Sequence, residues 1–233
     1  MFTFKQFAVC QDRCAMKVGT DGVLLGAWAK VEECSRILDV GTGTGLIALM
    51  AAQRSAADIM AIDLDGDAVE QARENVAASP WKQRIRVMAM DMREMMLAEH
   101  DEPFDALLCN PPFFENSLKC PDAARTMARH TDTLSFDQLA RSAARLLAPH
   151  GELSVVIPYD RAADMTVSAA CHGLFVTRKT LVYGVEGARP KRVLMAFARE
   201  ASRCITDMLT IRDSAHQYTP EYIRLVSPFY LKM

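Results

Sequence analysis

The tetrapeptide Asn110-Pro111-Pro112-Phe113 carries the most specific chemistry in the chain. An amino group conjugated to an aromatic ring is a poor nucleophile, because its lone pair is delocalised into the ring. It presents a pair of N–H donors. The Asn110 side-chain oxygen and the Pro111 carbonyl can accept both, draw the nitrogen toward tetrahedral geometry and aim its lone pair at an electrophilic carbon. Positive charge grows on that nitrogen as it reacts, and fixed acceptor dipoles stabilise it. Consecutive prolines stiffen the turn, so the acceptors are preorganised. Phe113 offers a π-face on which a flipped base can stack, a contact worth about 1–3 kcal/mol. By itself Asn-Pro-Pro is also a common loop starter; its weight comes from what precedes it.

Upstream lies Asp39-Val40-Gly41-Thr42-Gly43-Thr44-Gly45. Glycines here permit unusual backbone angles and close approach of a ligand, and the helix that follows offers unpaired N–H groups. Asp63, with Leu64 beside it, lies 20 residues after Gly43, where a carboxylate can accept hydrogen bonds from both hydroxyls of a ribose. Asp91-Met92 and Asn110 follow later strands. Asp39, Gly41, Thr42, Gly43, Gly45, Asp63, Leu64, Asp91, Met92 and Asn110 are therefore candidate nucleotide-binding residues. Asp91 is equally explained as a helix N-cap. The run Gly43-x-Gly45-x-x-Ala48 also passes as a dinucleotide fingerprint, so a nicotinamide oxidoreductase stays open, although it would leave residues 110–113 without a purpose. Ahead of the loop, Lys17 to Gly22 is a short basic, glycine-rich segment. Lys17 and Thr20 can donate to a ligand carboxylate, or the segment can simply cap the sheet.

The elements that must position these residues are legible from residue 36 onward. Arg36–Val40, Asp58–Asp63, Ile85–Met90, Phe104–Cys109 and Gly151–Ile157 predict strands, with further strands at Phe175–Val182 and Val193–Arg199. Helices are expected over Leu46–Arg54, Asp65–Ala78, Leu134–Leu147 with Ser135 as a possible cap, and Ala162–Cys171. Strand–helix alternation indicates a doubly wound, mostly parallel α/β sheet, whose ligands bind at the carboxyl ends of the strands. The polar and glycine residues named above all fall at that edge.

The Gly41-x-Gly43-x-Gly45 loop after an Asp-ended strand, with Asp63, Asp91 and the Asn-Pro-Pro-Phe corner, resembles the class I S-adenosylmethionine-dependent amino methyltransferases. Phe4-Lys5-Gln6-Phe7, the run from Cys14 to Trp28, and the tail from Tyr218 to Leu231 are similar to the bacterial tRNA(Val) adenine-37 N6-methyltransferase family. The resemblance implies a Rossmann-like fold with a seven-stranded sheet flanked by helices on both faces, and S-adenosyl-L-methionine as cofactor. It implies N6-methylation of an adenosine beside the anticodon of a tRNA, with Asn110, Pro111, Pro112 and Phe113 as the catalytic residues. The same tetrapeptide occurs in enzymes that methylate a protein glutamine amide and in rRNA guanine-N2 methyltransferases. The glutamine enzymes usually carry a helical domain before the loop, for which the roughly 35 residues ahead of the first strand leave little room.

Length and composition fit one α/β domain of 233 residues, with residues 1–35 as an extension and cofactor lid, 36–200 as the core and 201–233 as a C-terminal extension. The net charge of −2 argues mildly against an RNA partner, since phosphate contacts favour basic proteins, but a local patch suffices. Lys119, Arg125 and Arg129, with His130, are candidate RNA contacts in the loop after the tetrapeptide, and Arg189, Lys191 and Arg192 near a late strand. The 7 scattered cysteines, with no C-x-x-C pair and no signal-like N-terminus, are expected to be reduced thiols in a cytoplasmic protein, without a metal site. No apolar run is long enough to span a membrane, and no obligate protein partner is evident.

Overall fold

The computed structural model describes residues 1–14, 16–97, 102–111 and 134–232. A small antiparallel ribbon opens the chain, β1 (Phe2–Thr3) with β2 (Ala8–Val9). A strap of residues 10–14 and 16–19 leads to α1 (Thr20–Trp28). The alternating units follow: β3 (Arg36–Val40), α2 (Leu46–Arg54), β4 (Asp58–Asp63), α3 (Gly66–Ala77), β5 (Ile85–Ala89), α4 (Met92–Leu97) and β6 (Phe104–Cys109). After them come α5 (Phe136–Leu146), β7 (Leu147–Pro158), α6 (Ala162–Cys171), β8 (Phe175–Val185), β9 (Arg192–Ala198), β10 (Ile205–Arg212) and α7 (Pro220–Val226).

The large sheet runs β10-β8-β9-β7-β6-β3-β4-β5. β9 is antiparallel to both neighbours and the other pairings are parallel. Residues 36–200 supply β3 to β9, the seven strands expected, and β10 adds an eighth at the edge. Alternate residues of the central strands face opposite ways, so Ile37 joins a core with α1, α2 and α7, while Leu38 joins a core with α4, α5 and α6. Both faces of the sheet are covered, which is why its central strands read as nearly continuous apolar runs.

Strand order reverses at β3. From β3 the chain steps outward to β4 and β5, then returns to β6 on β3's other side. Val40 and Cys109 are direct partners, so the turn that leaves β3 and the corner that leaves β6 start side by side. A sheet of this kind opens its ligand crevice at such a point.

Some elements depart from the sequence expectation. The N-terminal glycine-rich segment forms α1, apolar on every side. Gly22 and Gly26 let it press against α2: a Cβ on Gly26 would lie 2.7 Å from the Met50 sulfur. Its helicity comes from that contact, because two glycines in nine residues weaken any intrinsic preference. β7 begins at Leu147 rather than Gly151, since Leu147 pairs with Phe104 ahead of a register shift. β10 and α7 follow β9, α7 capped by the Thr219 hydroxyl with Pro220 in its first turn.

Candidate active site

The glycine turn between β3 and α2 is bent tightly. Gly41, Gly43 and Gly45 have φ of 68°, 55° and 80°, a region that disfavours any residue with a Cβ. A Cβ added to Gly41 or Gly43 would meet nothing within 4 Å, so their backbone borders open space, whereas one on Gly45 would touch Ala72 of α3. The turn is pinned from below, because Gly41 and Thr42 N–H donate to the Ile62 carbonyl at 2.9 and 3.0 Å.

Two carboxylates brace this turn from different sides. Asp39 is fully buried; its Oδ2 accepts from the Thr42 hydroxyl at 2.6 Å and from Ala48 N–H at 3.1 Å. Its Oδ1 has no partner among the described residues. Burial pushes the carboxyl up to about 7, against the pull of those donors. Asp63 ends β4 on the open side. Its Oδ2 accepts from Gly43 N–H at 2.8 Å and its Oδ1 from Asp65 N–H at 3.0 Å, and each oxygen keeps capacity for another donor.

A cavity of about 290 Å³ lies over the turn. Gly41, Gly43, Asp63, Leu64, Asp91, Met92, Asn110 and Pro111 line it, all candidates from the sequence. Asp39, Thr42 and Gly45 sit beneath or behind the turn and are not among its lining residues. Neither are Lys17 and Thr20: the Lys17 ammonium donates to the Gln11 and Cys14 carbonyls, and Thr20 starts α1. The sequence reading missed Cys14 and Met16 from the strap, Met90 after β5, and Ala68 of α3. Met90 and the exposed Leu64 give the Asp63–Asp91 end apolar surfaces between which a planar ring can lie.

Asp91 serves the fold as well as the cavity. Its Oδ1 accepts from Arg93 N–H at 2.7 Å, and its carbonyl from Glu94 and Met95, capping α4. The Arg93 guanidinium grips the same carboxylate, with Nη2 to Oδ2 at 2.5 Å, and holds it below the usual carboxylate range. Asn110 follows β6 directly. Its Oδ1 is buried and has no hydrogen-bond partner among the described residues, although an amide oxygen shut off from water ordinarily has one. Cys109 beside it is buried, which pushes its thiol up.

Lys191 and Arg192 stand at the start of β9, and Arg192 donates to Asp21 of α1 at 2.8 Å. Because Arg192 pairs with Pro158 at the end of β7, they share the sheet edge of the cavity. Pro112, Phe113, Lys119, Arg125, Arg129 and His130 lie outside the described residues. The tail tyrosines mostly pack: Tyr222 and Phe229 are buried, and Tyr230 stacks on Phe4 at 5.6 Å.

A doubly wound sheet with this strand order, a glycine turn at its switch point and an Asn-Pro corner on the neighbouring strand define a class I methyltransferase. The methyltransferase small domain model matches residues 18–183. The chain belongs to the tRNA1(Val) (adenine(37)-N6)-methyltransferase family. It is 54% identical over 232 residues to the protein of that name from Phocaeicola vulgatus, covering 100% of this chain and 98% of that one. It is 48% identical to the namesake from Bacteroides fragilis, with the same coverage. Among solved structures, a predicted O-methyltransferase from Agrobacterium tumefaciens matches with a TM-score of 0.63 at 21% identity, covering 90% of this chain and 96% of that one, which speaks for the fold alone.

Proposed function

We propose that the protein methylates N6 of an adenine in tRNA, the adenosine at position 37 of tRNA1(Val), with S-adenosyl-L-methionine as donor, in the cytoplasm. Its relatives carry that name, and the observation that carries the reading at this site is Asn110 in the wall of the cavity over the glycine turn, its Oδ1 buried without a hydrogen-bond partner among the described residues. The open space at Gly41 and Gly43 suits a ligand drawn against backbone, and Asp63 at the cavity wall suits a ribose.

When bound, the cofactor supplies an electrophilic methyl group. The chain's own residues do the rest. Asp63 holds the ribose hydroxyls, while Leu64, Met90 and Met92 enclose the adenine beside Asp91. Asp39 and Thr42 act from beneath, keeping the turn in its bent form. Asn110 Oδ1 and the Pro111 carbonyl accept the N–H groups of the target amine and direct its lone pair, and the stiff Pro111-Pro112 corner fixes their aim. Phe113 stacks on the target base. The methylated nitrogen is acidic enough to release its proton to water, so the scheme needs no dedicated base. Lys191 and Arg192, together with Lys119, Arg125 and Arg129, contact the RNA backbone around the target. In this scheme residues 1–35 close the cofactor side, 36–200 form the catalytic core and 201–233 brace it, in one domain.

The decisive experiment is nucleoside mass spectrometry of tRNA from cells with and without the gene. N6-methyladenosine at position 37 should vanish from tRNA1(Val) and return on complementation. Transfer of labelled methyl to release factors but not to tRNA, by the purified protein, would instead establish a glutamine methyltransferase.

A further inference from the structure

α3 carries two buried amides where a helix against a sheet usually presents apolar side chains: Gln71 is 0% and Asn75 3% exposed. Spaced four apart, they share one stripe with Ala68 and Ala72. Ala68 lines the cavity, and Ala72 lies where a Cβ on Gly45 of the glycine turn would meet it. Both amides reach the strap, while Gln71 Nε2 donates to Glu74 within α3 at 3.3 Å. Asn75 Oδ1 accepts from Cys10 N–H at 2.8 Å, and its Nδ2 donates to the Cys10 carbonyl at 2.8 Å. The same Nδ2 donates to the carbonyl of Thr44, also at 2.8 Å. Gln71 Oε1 accepts from Arg13 N–H at 3.3 Å. One buried side chain thus bridges the strap and the middle of the glycine turn.

Beyond this bridge the strap is closed on itself. Gln11 Oε1 accepts from Val18 N–H at 2.7 Å, and Lys17 Nζ donates to the Cys14 carbonyl at 3.2 Å. Outside, the Arg13 guanidinium reaches Glu74 at 3.1 Å. Between these ties the strap sets Cys14 and Met16 into the cavity wall.

We propose that Asn75, assisted by Gln71, is a positioning residue that locks the strap over the cofactor cavity at a depth set by the glycine turn. Neither amide is among the residues lining the cavity; Cys14, Met16 and the turn, which Asn75 ties together, are. The idea rests on the cavity being the S-adenosylmethionine site. Affinity for cofactor therefore depends on Asn75, while the chemical step at Asn110 does not.

The test compares the wild type with Asn75→Ala and Gln71→Leu, the latter nearly isosteric and kept in case the former folds poorly. Calorimetric titration with S-adenosylhomocysteine should show Kd raised about 10- to 30-fold for Asn75→Ala, the range expected when one or two of its three lost hydrogen bonds bear on binding, and less for Gln71→Leu. KM for S-adenosylmethionine should rise in parallel, with kcat at saturation and KM for tRNA near wild type. Without ligand, hydrogen exchange over residues 8–18 should quicken in both variants, while the β3 and β4 amides stay protected. A purely structural role predicts a lowered melting temperature and a smaller active fraction with unchanged KM; that outcome, or Kd within twofold of wild type in both variants, overturns the proposal. Should the wild-type protein bind neither compound, the functional reading falls and this proposal with it. Normal wild-type binding with unaltered variants sinks the clamp alone.

Discussion

Replacing Asn110 by alanine separates catalysis from stability in an unusual way. In most buried sites, deleting a polar side chain breaks a hydrogen bond and destabilises the fold. Here Oδ1 has no partner among the described residues, so its desolvation is already a cost of about 1–3 kcal/mol in the folded protein. Asn110→Ala removes that cost together with the side chain's packing. The melting temperature is therefore expected to match or exceed that of the wild type. Catalysis should respond in the opposite sense. The hydrogen bond from the target amine is neutral in the ground state, worth about 0.5–1.5 kcal/mol, and becomes charge-assisted as the nitrogen turns cationic. Loss of one such preorganised group typically costs about 2.7–4 kcal/mol in the transition state, or about 100- to 1,000-fold in rate. Single-turnover methyl transfer to tRNA, at saturating cofactor and enzyme in excess, measures that step alone. S-adenosylhomocysteine affinity should stay within a few-fold of wild type. A single-turnover rate within tenfold of wild type, or a lost rate matched by a lowered melting temperature, would refute the assignment of Oδ1 as the waiting acceptor.

Other perturbations read the remaining parts of the site. Asp63→Ala removes a charged acceptor that also braces Gly43 and Asp65, and should weaken cofactor binding about 10- to 100-fold in calorimetry while leaving the saturated rate less affected. Asp39, pushed up to about 7, keeps its proton in the folded state where the unfolded chain has lost it, so its contribution to stability falls as pH rises from about 4 to 7, by at most roughly 1.4 kcal/mol per pH unit. Asp39→Asn lacks that slope, and its melting temperature should gain on the wild type as pH rises from about 4 to 7; parallel profiles would contradict the burial argument. Gly26→Val drives side-chain atoms into Met50 and should lower the urea midpoint by the equivalent of about 1–3 kcal/mol at unchanged m-value.

Much of this was legible because local and tertiary preferences agree. Leu46–Arg54, Asp58–Asp63, Phe104–Cys109 and Ala162–Cys171 form elements with the bounds the residue pattern predicts. β10 went unread although Ile205 to Ile211 is apolar-rich. It is an edge strand with Ile205 and Met208 in solvent, so its pattern does not mark one buried face. The Thr219-Pro220 start of α7 is a capping signal in the sequence, but it opens a helix of only seven residues, too short for a clear apolar period. Within the site, sequence could place Asp39 and Asp63 at strand ends but not tell which faced the cleft; strand parity and the path of the turn decide that. Gln71 and Asn75 carry no inward signal of their own, because amides in a Glu- and Ala-rich helix ordinarily face solvent. Only the folded strap, arriving from more than fifty residues upstream in the chain, turns them inward.

The ring contacts of Phe2 and Phe4 with Tyr230 tie the segment ahead of the strap to the segment after α7. Phe4 bridges to Tyr230, Lys5 N–H donates to the Phe229 carbonyl, and the Lys5 ammonium reaches the Ser227 carbonyl at 2.7 Å. The segment that leads into the strap is therefore moored 222 residues away in sequence. Contacts of such separation close late in folding, so the central strands can assemble while the roof over the cleft is still loose, and a partly folded chain carries a half-built pocket with no firm grip on its ligand.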